Sequence, residues 1–216
     1  MYKRQDDVKV EQTDVDYLLM AFNSYFPSLN LGSNSVISQF AGLRPLVKNH
    51  VREASLISRD YALDIAPSGL ITILGGKYTT YRLMAEKTVD AVLKQQNLSL
   101  NPCQTEEIPL CSFELSQQQI SDFAAECHLP PHEVTRLAQQ YGRACLNIFN
   151  LIKKSPHEGK QMCSEHPHIW AELTHAIQHE KAMTPEDWFE RRTSIAYTSC
   201  KGLKCRDAVL DRFSSC

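Results

Sequence analysis

The side chains best suited to binding chemistry lie in residues 70–94. There the apolar run LITIL leads directly into Gly75, Gly76 and Lys77, and then into Thr79 and Thr80 at the start of a long helical pattern. A glycine has no Cβ, so the chain can turn sharply and a bound group can approach the backbone closely. The first amides of the following helix have no acceptors within it and can donate to ligand oxygens. A small anion or the electron-rich edge of a cofactor fits such a unit. A double glycine after a strand is weak evidence by itself, and a plain structural turn explains the same residues.

Five basic residues, Arg44, Lys48, Arg52, Arg59 and Lys77, fall near expected strand or loop ends in the first half of the chain. An arginine fork binds phosphate through paired hydrogen bonds and a lysine adds a movable point charge. Each alone is explained by a surface role; together they point to a small anionic ligand. His50 stands in a loop, compatible with general-base work or with no role at all, the second being the favoured reading. The remaining histidines belong to the second half of the chain. His175 and His179 share a helical face without the glutamate that would complete a zinc-hydrolase motif. The eight cysteines form no CxxC pair and read as reduced thiols. A zinc site from Cys163, His166 and His168 has a spacing that matches no closed tetrahedral pattern, and a fourth ligand is not apparent. No metal is expected.

The elements that must position these groups differ between the two halves. Residues 13–26 carry Val15, Leu18, Leu19, Phe22 and Phe26 at helical spacing, with Thr13 or Asp14 as cap and Pro27 as stop. Residues 36–47 are rich in β-branched and apolar types and read as a strand delivering Arg44. Residues 55–66 read as a second strand, Pro67 to Gly69 as a turn, residues 70–74 as a third strand, and Tyr78 to about Leu93 as a helix. Residues 97–114 look like a linker. Beyond it, helices are expected at Ser116–Cys127, Pro131–Tyr141, Arg143–Leu151, Trp170–His179, Pro185–Ser194 and Leu203–Phe213, with a polar loop over residues 153–168. Thr184, Pro185, Glu186 and Asp187 make a helix-start signature. An Asp187 to Arg191 pair adds modest support, and Trp170, Trp188, Phe189 and Phe213 read as core or interface anchors.

A length of 216 residues suits one good core or two modest ones. The formal net charge of −2 supplies no field toward nucleic acid, which is not expected as a partner. No apolar run reaches membrane-spanning length, and no signal-peptide pattern follows the first residues, so a cytoplasmic location is expected. No GxGxxG fingerprint, P-loop, nucleophile elbow or deaminase signature occurs.

FAGLRPLV (40–47), SRDYALDI (58–65) and ITILGGKYTTYRLMAEKTVDAVL (71–93), in that order, resemble the FAD-dependent glycerol-3-phosphate dehydrogenases and the related glycerophosphate oxidases. AIQHEKAMTPEDWFERRTSIAY (176–197) is similar to the helical C-terminal domain of that family, where a similar MTxxDxxxRRT stretch occurs. The resemblance implies an α/β fragment, the end of D-amino-acid-oxidase-like substrate and FAD domains, followed by an all-α C-terminal domain. The expected division is residues 13–96 for the incomplete segment, 97–114 for the linker and 115–213 for the helical domain.

Carried over onto matching positions, Arg44 of LRPL, Arg59 of RDY and Lys77 would bind substrate. Gly75, Gly76, Lys77, Thr79 and Thr80 would approach FAD; no catalytic base is assigned. The implied reaction moves a hydride from C2 of sn-glycerol 3-phosphate to the flavin and yields dihydroxyacetone phosphate. A quinone is the implied acceptor for the dehydrogenase branch and oxygen for the oxidase branch. The full-length protein could sit peripherally on the cytoplasmic membrane face, and a homo-oligomer is compatible. The glycine fingerprint of the family precedes the part matched here, so this chain is expected to need an N-terminal FAD-binding region and to be inactive alone. The alternative is a non-enzymatic helical folding or interaction module. A third reading is a separate phosphate-binding protein using Arg44, Arg59 and Lys77, disfavoured because its strands would have exposed edges.

Overall fold

The computed structural model describes residues 8–43, 47, 60–99, 101–108 and 113–214. In chain order the elements are helix α1 (Gln12–Tyr25), strands β1 (Tyr61–Ile65) and β2 (Ile71–Gly75), and helices α2 (Tyr81–Gln95), α3 (Gln117–Cys127), α4 (Pro131–Tyr141) and α5 (Cys145–Lys154). Strands β3 (Gln161–Cys163) and β4 (His166–Ile169) and helices α6 (Trp170–His179) and α7 (Arg206–Ser214) complete them. This is a mixed α/β first part followed by a largely helical second part, as the sequence implied. By backbone contacts the chain forms two compact units, Met1–Val8 with Ala41–Leu110, and Lys9–Phe40 with Cys111–Cys216.

In the first unit, β1 and β2 form an antiparallel hairpin running from Tyr61 opposite Gly75 to Ile65 opposite Ile71. The expected turn closes it, with the Gly69 amide donating to the Ala66 carbonyl at 2.8 Å and Gly69 at φ +88°. Gln95 Nε2 donates to the Gly69 carbonyl at 2.9 Å, tying the far end of α2 to that turn. None of the described residues of this unit is buried. Two strands and one helix cannot enclose a core, so Ile65, Leu70, Leu74, Val89 and Val92 remain exposed.

The second unit holds two adjoining apolar clusters. Val134, Leu137, Cys145, Ile148, Phe149, Ile152 and Ala171 centre the first, and Leu173, Ala176, Trp188, Phe189, Ile195 and Val209 the second. Helix α6 serves both, because Ala171 through Ala176 are all buried. A helix covered all round must find partners for its polar residues, here Glu172, Thr174 and His175. Ser116 caps α3 as expected: its Oγ accepts from the Gln119 amide at 3.2 Å while Gln119 Oε1 accepts from the Ser116 amide at 2.9 Å.

Four local expectations are corrected. Helix α1 begins one residue ahead of Thr13, and its reciprocal cap runs from the Glu11 amide to Asp14 Oδ2 at 3.1 Å. Val36–Leu43 is not a strand: among the described residues no neighbour pairs with it, and Ser38 Oγ donates instead to the Tyr197 carbonyl at 2.9 Å. Residues 153–168 are not a loop throughout, because a 3-10 turn at Pro156–Gly159 is followed by the β3–β4 hairpin. Its strands have three and four residues, with an irregular register and Pro167 at their edge, too short to display alternation. The segment after Pro185 winds as a π-helical turn over Asp187–Arg192.

Candidate functional site

The β2–α2 junction gathers five of the expected site residues through chain continuity. Strand β2 ends at Gly75, with φ +69°, and Gly76 follows at φ +97°. Two consecutive residues in the left-handed half of backbone space reverse the chain at little cost only if both are glycine. A Cβ at Gly76 would meet the flexible end of Met84, Sδ and Cε, at 2.5 Å, so a larger residue there would push that side chain aside. This packing reason stands whether or not a ligand is bound.

Beyond the glycines, Tyr78–Thr80 forms a 3-10 turn that feeds α2. Thr80 donates both its amide and its Oγ1 to the Lys77 carbonyl, each at 3.0 Å, which fixes the turn. The amides of Tyr78 and Thr79 donate to no backbone carbonyl among the described residues. The side chains of Lys77 and Thr79 are exposed, and Lys77 Nζ lies 3.7 Å from Asp60 Oδ1. The junction therefore offers free amides, a hydroxyl and an ammonium to an electron-rich group, a donor set that fits a flavin edge or an oxyanion. Arg44 and Arg59, like Lys48, His50 and Arg52, lie outside the described residues.

Sequence reasoning missed a buried polar cluster in the second unit. Glu172, fully buried, accepts from Arg136 Nη2 at 2.8 Å and Nη1 at 3.0 Å, from Tyr141 Oη at 3.0 Å and from the Ile169 amide at 2.8 Å. His168 Nδ1 stands 3.2 Å from Oε1. Burial pushes the carboxyl pKa upward, but His168 and Arg136 outweigh it and hold Glu172 at about 2. Burial opposes the charge of Arg136, yet Glu172 and Glu133 together raise its pKa above the ordinary value. Burial, followed by the Glu172 charge, raises the Tyr141 hydroxyl. With both charges paired and every donor aimed inward, the cluster is an anchor between α4, β4 and α6. Its only sequence signal was a glutamate at helix position three of α6.

The other candidates separate. His168 turns to Glu172 and His166 to Cys200, so Cys163, His166 and His168 do not converge. Among the described residues no group of three such side chains is arranged to hold a metal ion. His175 and His179 are neighbours with ring centroids 5.0 Å apart, and His175 is buried against Tyr141 with no partner for Nδ1. In the 184–192 stretch, Asp187 Oδ2 accepts the amides of Met183 and Thr184, both at 2.9 Å, and the expected pair to Arg191 forms at 2.5 Å. Arg192 reaches back to the Glu180 carbonyl at 3.1 Å from Nε. These contacts close the segment on itself and set Trp188 and Phe189 into the core.

Residues 103–215, just over half of the chain, match the family described as the C-terminal domain of alpha-glycerophosphate oxidase. The chain belongs to the glycerol-3-phosphate dehydrogenase and glycerophosphate oxidase family. Its similarity extends beyond that domain: aerobic glycerol-3-phosphate dehydrogenase of Staphylococcus aureus strain USA300 is 34% identical over 213 residues, covering 93% of this chain. The same protein of strain COL is also 34% identical, and that of strain MRSA252 is 33% identical. The chain spans 38% of the length of these curated relatives. In this dehydrogenase and oxidase family the helical second unit carries the matched domain, while the β2–α2 junction lies ahead of it. Among the described residues no helix is long and apolar enough to cross a membrane.

Proposed function

We propose that this chain forms part of an FAD-dependent oxidoreductase that oxidises sn-glycerol 3-phosphate to dihydroxyacetone phosphate. The observation that carries the reading is the 34% identity to aerobic glycerol-3-phosphate dehydrogenase over 93% of the chain. The donor set at the β2–α2 junction is consistent with it. When bound, FAD supplies the hydride acceptor for C2 of the substrate.

The residues of this chain bind and orient. Arg44 and Arg59 present guanidinium forks to the substrate phosphate. Lys77, whose ammonium is within 3.7 Å of Asp60, adds positive charge beside the substrate oxygens. Gly75 and Gly76 keep the turn narrow enough for close approach of the flavin. The amides of Tyr78 and Thr79, with the hydroxyl of Thr79, orient its electron-rich edge and stabilise negative charge there, while Thr80, bonded to the Lys77 carbonyl, holds the turn against the cofactor. The rest of the flavin is held by a dinucleotide-binding region outside these residues. The electrons pass to a quinone in a dehydrogenase or to oxygen in an oxidase, with the protein at the cytoplasmic side of the cell.

The test is complementation. The purified chain with added FAD is expected to remain colourless and to give no glycerol-3-phosphate-dependent dye reduction. Co-expression with the complementary part of the Staphylococcus aureus enzyme is expected to yield bound flavin that glycerol 3-phosphate bleaches. Oxygen uptake and quinone-analogue reduction then identify the acceptor. Turnover by the chain alone contradicts the need for a second region. A flavin-loaded complex that glycerol 3-phosphate leaves oxidised contradicts the substrate. The alternative, a helical interaction module, gains support if complex formation leaves no flavin bound.

A further inference from the structure

Three cysteines and one histidine meet in the second unit, and none of them is assigned to flavin or substrate. His166 is buried, and its Nε2 lies 2.9 Å from Cys200 Sγ. Cys163 stands opposite His166 in the β3–β4 register, so both side chains leave the hairpin on the same face. Cys205 belongs to the adjoining apolar cluster, against which Cys163 packs. These residues come from two chain segments more than 30 positions apart, so only folding joins them.

The thiols are not equivalent. Cys205 is 2% exposed and its Sγ donates to the Gly202 carbonyl at 3.5 Å. Burial, then contact with Cys163, pushes its pKa up to about 12, which keeps it protonated and inert. Cys163 and Cys200 are half-buried. Burial first, then His168, lowers the pKa of His166, which favours the uncharged ring. A half-exposed thiol held against a buried neutral imidazole has the arrangement of a nucleophile with its base. Local turns shape residues 198–205, such as Leu203 N to the Cys200 carbonyl at 2.9 Å, and Lys204 Nζ donates to Glu165 Oε1 at 2.5 Å, which holds this segment beside the β3–β4 hairpin.

We propose that Cys200 is a hydroperoxide-reactive thiol, with His166 as its base, whose oxidised form is captured by Cys163 in an intrachain disulfide. His166 Nε2 takes the thiol proton and the sulfur attacks one peroxide oxygen. The O–O bond breaks, and the departing hydroxide takes the imidazolium proton to leave as water. Cys200 is then a sulfenic acid, oxidised by two electrons. The Cys163 sulfur attacks that sulfur, the S–O bond breaks, and the departing hydroxide takes the Cys163 thiol proton and leaves as a second water. Two thiols and one hydrogen peroxide thus give one disulfide and two waters.

The experiment treats the purified 216-residue chain with substoichiometric hydrogen peroxide, with and without a sulfenic-acid trap, and maps the products by peptide mass spectrometry. The expected product is a Cys163–Cys200 disulfide. In Cys163→Ser the trap adduct is expected on Cys200, forming roughly tenfold faster than on exposed Cys103. His166→Gln is expected to bring Cys200 down to the rate of Cys103. The unsubstituted chain unfolded in urea is expected to lose the preference for Cys200, a comparison that needs no variant to fold. Equal rates at Cys200 and Cys103 in the folded chain, a disulfide that omits Cys200, or a preference that survives urea would each overturn the proposal.

Discussion

Gly76 and Glu172 carry the most constraint at the scale of single residues, for opposite reasons. Gly76 is needed for its backbone, at φ +97°, and for the space its missing Cβ leaves to Met84. The methionine end can move aside, so the cost of Gly76→Ala comes chiefly from φ. We expect a loss of about 1–2 kcal/mol in the stability of the β1–β2–α2 unit, read as faster amide exchange in α2. Glu172 is needed for its charge. Its pKa falls from 4.5 to about 2 on folding, so it contributes stability that is fully present above pH 4.5 and is lost as pH drops toward 2. The expected contribution is about 3 kcal/mol, checked by urea midpoints at intervals across that window. In Glu172→Gln the protein should be less stable at neutral pH, with Arg136 left to Glu133 alone, and this part of the acid dependence should disappear. The cluster was invisible in the sequence because Arg136, Tyr141, His168 and Glu172 come from three elements, and nothing local announces that they converge.

Single elements were legible where caps and periodicity agreed. Helix α4 occupies Pro131–Tyr141 and α6 Trp170–His179, the spans read from sequence, since proline at a first turn and a continuous apolar face are local signals. Helix α3 starts where Ser116 and Gln119 form their reciprocal cap. Replacing Ser116 by alanine is expected to cost about 1 kcal/mol, measured as a lower thermal midpoint of the second unit. The failures have a common cause. A strand is stabilised by its partner, so the β-rich residues 36–43 gave a misleading signal while the polar residues of the β3–β4 hairpin gave none. The π-helical turn at Asp187–Arg192 likewise departs from the regular helix that its caps suggested.

At the scale of the molecule, burial is distributed unevenly. Every buried residue among the described ones lies between Cys127 and Val209, whereas α1, α2 and the β1–β2 hairpin contribute none. We expect amide exchange in α4, α5 and α6 to be slow and cooperative, and exchange in α2 and the hairpin to be faster by orders of magnitude. Protection of α2 and the hairpin should rise sharply in the flavin-loaded complex of the complementation test, and unchanged exchange there would count against their place at the cofactor. The sequence by itself determined the family, through LRPL, RDY and GGKYTTYR, as well as the glycine turn and the principal helices, because these rest on residues close in the chain. Tertiary structure decided which polar groups are buried together, Glu172 with Arg136 and His166 with Cys200. Such contacts join residues 34 to 36 positions apart, and partners such as Arg136 hold the Glu172 charge against burial only after the helices close over them.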